Sequence, residues 1–245
     1  MVDSQHADNP RTLRRGVGQR LHDFHNHHPL VGAFVYVSSI LYFFAQVFVG
    51  WIWTSPQYSL WTNTISDLGN THCGAYRGSQ VCSHRHGWMN LAFVFVGLVM
   101  VVGSSLLYHE FERRSWDTWR FVGFAVMAIG GVGAILVGAF PENENGTGHV
   151  IGASLAIGGG NIALLILAIA LRGDIPERLR RFMLWWAPIS LVASFMFVFK
   201  RHFGLGSGGL ERIAAYPETI WLISLGAWLA HDSITGRRPG APAAA

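Results

Sequence analysis

The sequence predicts an all-α fold, a six-transmembrane-helix bundle with both termini on one side of the membrane. Three observations predict it. Of the 245 residues, 51% are hydrophobic and 13% are charged, whereas a soluble domain carries about 25% charged residues. Six apolar runs are long enough to cross hydrocarbon about 30 Å thick, which takes about 20 helical residues. The basic residues fall almost entirely between these runs. Backbone polar groups in lipid must be satisfied within the segment, so the spans are helices and not an open sheet. The same composition excludes an ordinary cytosolic enzyme, a disordered chain and a nucleic-acid binder, although the net charge is +4.

The chain divides into a polar N-terminal segment (1–29), a membrane domain (30–231) and a Pro/Ala/Gly tail (232–245) expected to be disordered. Met1 to Pro29 has no apolar core of a secretory signal, so the N-terminus is expected to be kept. His22, His25, His27 and His28 form a dense patch there beside Arg14, Arg15 and Arg20, which suits lipid headgroups as well as metal.

The expected spans run from Leu30 to Trp53, Gly87 to Tyr108, Phe121 to Phe140, Val150 to Leu171, Phe182 to Phe199 and Ile213 to Ala230. The first five contain no Asp, Glu, Lys or Arg, and the sixth contains only Glu218. Thirteen Arg residues sort to one side of this topology, and five Lys or Arg residues, Arg77, Arg85, Lys200, Arg201 and Arg212, to the other. The positive-inside rule then places both termini in the cytoplasm and predicts a plasma (inner) membrane protein with three outward loops.

The first outward loop, Thr54 to His86, holds Cys73 and Cys82, the two cysteines of the chain. On the oxidising side of a membrane they are expected to form a disulfide. An aromatic border of Trp51, Trp53, Tyr58 and Trp61 suits the interface and leads into Asn63-Thr64-Ile65-Ser66-Asp67-Leu68-Gly69-Asn70. Ser66 or Asp67 could cap a short helix ended by Gly69-Asn70, or Asp67 could face a cavity as ligand or general base. His84-Arg85-His86 follows, with Asn90 one turn beyond His86 on the same helix face. His86, His149 and Asp67 are weak metal candidates, since a His at a helix mouth is more often a satisfied interfacial residue.

In the second loop Pro141 ends the third helix, Glu142 and Glu144 are outward carboxylates, and Gly148-His149 turns into the fourth span. The third, Gly204 to Arg212, resembles a phosphate cradle but lacks its lysine, so its glycines are expected to let the loop fold back on the bundle. Glu211 and Arg212 open the last helix, with Glu218 two turns below Glu211 and Tyr216 below Arg212. Glu218 follows Pro217 inside an apolar span, where an ionisable group is by default functional or paired; Arg212, Lys200 and Arg201 are the expected partners.

At Asn63 to Asn70, Val81-Cys82-Ser83 with Met89-Asn90, Gly138-Ala139-Phe140-Pro141, and Gly209-Leu210-Glu211-Arg212-Ile213 leading to Tyr216-Pro217, the chain resembles a bacterial membrane family known as domain of unknown function number 998. The resemblance covers roughly Val31 to Ala230 and implies six helices and no assigned activity. A looser likeness is to the alkaline ceramidase and progestin-receptor-like membrane hydrolases, which use a Ser, an Asp and three His around zinc. Ser66, Asp67, His86 and His149 supply those residue types, but the late H-x-x-x-H pair is missing.

The expected function is binding of a membrane lipid or other amphiphile at an outward polar site. Asp67, His86, His149 and Glu211 are its candidate catalytic groups, and Asn63, Ser66, Asn90, Arg212, Tyr216 and Glu218 its ligand-binding groups. An outward-facing lipid hydrolase, acid–base or metal-dependent, is one alternative, and zinc enters only there. A small-molecule or proton-coupled transporter using Glu218 is the other.

Overall fold

The computed structural model describes residues 29–111 and 117–235. The histidine patch before the first span, all four N-terminal arginines and the tail from Gly236 lie outside them; residues 232–234, expected in the tail, continue the last helix. Six helices are long and apolar enough to cross a membrane: α1 (Leu30–Ile52), α2 (His86–Tyr108), α3 (Thr118–Ala139), α4 (Gly146–Ala170), α5 (Glu177–Val198) and α6 (Gly206–Ile234). Each packs on the next in sequence and α6 packs on α1, so the six close into a ring. The α3–α4 contact is the most extensive, and α6 is the most enclosed span. Exposed Phe34, Phe44, Trp185, Val192, Phe195 and Val198 form part of the apolar outer surface that such a bundle offers to lipid.

The spans outrun the expected boundaries where polar or glycine-rich sequence continues a helix. The clearest case is α6, which begins at Gly206 and not at Ile213. The Gly-rich stretch is therefore the first turns of a helix. Its glycines do bring backbone close, as expected: a Cβ at Gly208 would strike the carbonyls of Asn63 and Leu60, and the Gly208 N–H donates to Trp61 O at 2.9 Å. Low helix propensity hides such a start in the sequence, and the contact made possible by the missing side chain offsets it.

α1, α4 and α6 depart from regular α-helix, each with its own local repair, and α5 carries Pro188 within it. α1 breaks between Val37 and Ile40, where Ser38 Oγ returns to Val35 O at 2.6 Å. In α4 a π segment, Ser154–Gly159, separates Gly146–Ala153 from Gly160–Ala170. Asn161 Nδ2 donates there to Ile157 O at 2.8 Å and across to Ala214 O of α6 at 3.0 Å. α6 runs unbroken through Pro217, which has no N–H for the Ile213 carbonyl; Ser190 Oγ of α5 donates to it at 3.0 Å instead.

The connection between α1 and α2 folds over the loop end of the ring. It contains a short 3₁₀ turn (Ser66–Gly69) and an antiparallel hairpin of β1 (Gly74–Tyr76) and β2 (Ser79–Val81), with Gly74 opposite Val81. Arg77 and Gly78 both have positive φ, as a two-residue hairpin turn of this hand requires. Cys73 and Cys82, flanking the strands, form the expected disulfide.

Candidate functional site

The site is built where this first connection meets the starts of α4 and α6. Thr64-Ile65-Ser66-Asp67 forms a reciprocal cap: the Asp67 N–H donates to Thr64 Oγ1 at 2.9 Å, and the Thr64 N–H donates to Asp67 Oδ2 at 2.9 Å. Thr64, and not Ser66 or Asp67 alone, therefore opens the short turn that the sequence led us to expect. Asn63 Nδ2 adds a longer bond to the same Asp67 oxygen at 3.3 Å. Arg212 of α6 fastens the segment from below, donating to the carbonyls of Leu60, Asn63 and Gly208 and to the Tyr58 hydroxyl. Among the described residues that task occupies both of its terminal nitrogens.

Because the cap satisfies the turn's own backbone, Ser66 is free to face inward. Its Oγ lies 2.9 Å from His149 Nε2 and 3.0 Å from Glu211 Oε1. The Ile65 N–H donates to the other Glu211 oxygen. His149 Nδ1 lies 2.9 Å from Phe140 O, and a carbonyl only accepts, so Nδ1 carries a proton. The Ser66 hydroxyl then bridges a base and an acid with one proton between them. With the hydroxyl donating to Glu211, Nε2 donates to Ser66 and the ring is a cation. With the hydroxyl donating to Nε2, the ring is neutral and Glu211 holds the proton. Passing protons through one hydroxyl interconverts the two forms, so the trio can either generate a nucleophilic oxygen at Ser66 or relay a proton.

A second buried carboxyl lies beside Asp67. Glu142, in the α3–α4 connection, accepts from Asn70 Nδ2 at 3.2 Å and from Arg77 Nη1 at 3.2 Å, while Tyr76 OH donates to its carbonyl at 2.8 Å. Burial first, and then the neighbouring Asp67 carboxylate, pushes Glu142 up to about 8. Glu142 therefore holds a proton at neutral pH beside Asp67.

Below Ser66 the ring encloses a cavity of about 40 Å³, room for a few water molecules. Its polar lining is Ser66, Glu211, Glu218 and Thr219 with the Tyr42 ring; its remaining walls, from α2, α3, α4 and α6, are apolar. Glu218 is 6% exposed, and its Oε2 has no partner among the described residues. It lies inside the bundle, as expected, but the pairing with Arg212, Lys200 or Arg201 is overturned. Arg212 is taken up by carbonyls, and Lys200 and Arg201 are exposed at the end of α5.

The candidate residues thus fall into three sets. Ser66, His149 and Glu211 meet directly, Asn63 and Asp67 flank them, and Glu218 faces the same cavity. Asn90, Arg212 and Tyr216 are fasteners: Asn90 Nδ2 holds Gly69 O at 2.9 Å, and Tyr216 OH donates to Gln46 Oε1 at 2.8 Å. His86 stays apart, with a buried Nδ1 that has no partner among the described residues. Among the described residues, one group of three possible ligands has its donor atoms within 4.8 Å, Cys73, Cys82 and His84, and its two sulfurs are joined to each other. Asp67, His86 and His149 do not converge, so they do not fit a zinc site. Glu142 and Arg77 were missed as site residues; a carboxylate directly after the helix-ending Pro141 was the available signal.

The family model described as protein of unknown function (DUF998) matches residues 36–228. No curated protein and no solved structure matches the chain.

Proposed function

The chain belongs to the DUF998 family, and we propose that this member is a membrane hydrolase that binds an amphiphile carrying a carboxylic ester and cleaves it at Ser66. One observation carries the reading: Ser66 Oγ is 2.9 Å from a His149 Nε2 whose ring is oriented through Nδ1, on the wall of a mostly apolar cavity among membrane spans. Thirteen arginines sorted to the terminal end against five basic residues at the loop end support an outward-facing site. Exposed Trp51, Trp61 and Trp88 at the loop end suit an interface from which an amphiphile is drawn.

In this mechanism Ser66 Oγ bonds to the ester carbonyl carbon as its proton passes to His149 Nε2. The bond from that carbon to the leaving oxygen then breaks, and His149 returns the proton to the leaving alcohol. Water attacks the acyl-Ser66, gives a proton to His149, and Ser66 regains it as the acid departs. Glu211, protonated in the form whose imidazole is neutral, donates to Ser66 Oγ and holds it in line. No step uses a metal.

The test is hydrolysis of a series of fluorogenic esters of increasing acyl length by purified protein in lipid nanodiscs. Ser66→Ala is expected to abolish turnover, and His149→Ala to lower kcat by about 10²–10⁴-fold, the usual worth of a general base. Turnover by the parent that Ser66→Ala leaves intact would refute the assignment, as would a parent with no turnover across the series.

A further inference from the structure

The trio at Ser66 does not account for Glu218. A carboxyl inside a membrane bundle is costly unless it is paired, hydrogen-bonded or protonated. Among the described residues Glu218 Oε2 is without a partner, its side chain is more than nine-tenths buried, and it lines the cavity that also reaches Ser66 and Glu211. The fold makes room for it: a Cβ at Gly160, directly after the π segment of α4, would overlap the Glu218 carboxyl. A π segment shifts the register of the following turn, which here presents a glycine and not a side chain to the acid.

We propose that Glu218 is a proton-binding site inside the bundle, loaded from the loop end through the cavity it shares with Glu211. Glu211 and Glu218 stand two turns apart on one face of α6, and both line that cavity. Its volume admits the waters a proton would need to pass between two carboxyls. Above, Glu211 is joined through Ser66 to His149. The titratable groups facing Glu218 across the cavity are Tyr42 of α1 and Glu211 of α6; α2, α3 and α4 present apolar side chains there, and α5 contributes none. On the next two turns of α6 toward the terminal end, Leu222 and Leu225 are fully buried. The route is therefore open to one end, and occupancy of Glu218 follows the pH of the solution there. The proposal is independent of ester cleavage, because it concerns where a proton resides and how it arrives.

Infrared difference spectroscopy of the full chain in nanodiscs tests it. The parent is expected to show the carbonyl stretch of a protonated carboxyl that Glu218→Gln loses and Glu218→Asp moves to a new frequency. In D₂O the parent band is expected to shift as fast as buffer can be exchanged, and Glu211→Leu to slow that shift. A parent spectrum without such a band would overturn the proposal, since Glu218 would then be ionised and paired with a bound cation. A band that does not shift in D₂O would mean a sealed structural acid, and a shift that Glu211→Leu leaves equally fast would mean another route; either result also overturns it. Glu218→Asp keeps the acid, so the assignment does not depend on Glu218→Gln folding.

Discussion

Glu142→Gln should make the protein more stable at alkaline pH. In the folded protein this carboxyl is buried and held against Asp67, which raises it from its ordinary 4.5 to about 8. Between those two values the folded protein keeps a proton that the unfolded chain has lost. Stability therefore falls as pH rises through that window; below it both states are protonated, and above it the cost is complete. Each pKa unit is worth about 1.4 kcal/mol, so the ceiling on the loss is about 5 kcal/mol. Glutamine resembles the protonated acid: its carbonyl can still accept from Asn70, and its amide can donate to Asp67. The bond to half-exposed Arg77 is weakened, at a cost of about 1 kcal/mol or less. Apparent Tm, followed by tryptophan fluorescence in detergent at pH 5, 7 and 9, should fall across the series for the parent. It should fall less for Glu142→Gln, with the two proteins close at pH 5 and the variant higher at pH 9. Equal pH dependence in both, or a variant less stable at pH 9, would refute the raised Glu142 carboxyl.

Other predictions follow from packing and topology. Thr64→Ala removes the acceptor for the Asp67 N–H and should cost about 0.5–2 kcal/mol in thermal unfolding, the range for a lost cap; an unchanged Tm would mean that the reciprocal cap contributes nothing. Gly160→Ala should destabilise the protein by overlap with Glu218, and Gly160→Ala combined with Glu218→Ala should recover part of the loss, a non-additivity read from Tm values of the single and double variants. Single cysteines at Asn145 and Phe203 should react with an impermeant maleimide in intact cells, and ones at Arg172 and Thr235 should not. These positions are exposed, and the native cysteines are bonded to each other. Labelling of the Arg172 or Thr235 variant would reverse the orientation.

How much of this was legible in the sequence depends on the scale. Span number and approximate position follow from hydropathy, because nothing but a helix suits long uncharged runs in lipid. Helix starts made of polar or small residues, such as Gly206 to Arg212, escape that reading because their stability comes from contact with the 60–63 turn. Ser66, His149 and Glu211 could be singled out as residue types in the right compartment. Their meeting could not, since it joins positions 83 and 145 residues apart through the docking of one connection onto two helix starts. Arg212 illustrates the opposite error. Charge suggested a carboxylate partner, but its nitrogens reach backbone carbonyls that the capped turn leaves pointing at α6. Glu218 was rightly placed inside the bundle, and its lack of a cation is a property of the cavity rather than of nearby sequence.

The central claim is that Ser66 is a nucleophile activated by His149. An alkyl fluorophosphonate is the direct probe, because it modifies a serine oxygen only where a base takes the proton. Incubated with the protein in nanodiscs and mapped by peptide mass spectrometry, the probe should appear on Ser66. The adduct should vanish in Ser66→Ala and form far more slowly in His149→Ala. No adduct on Ser66, or one formed as fast without His149, would contradict the claim.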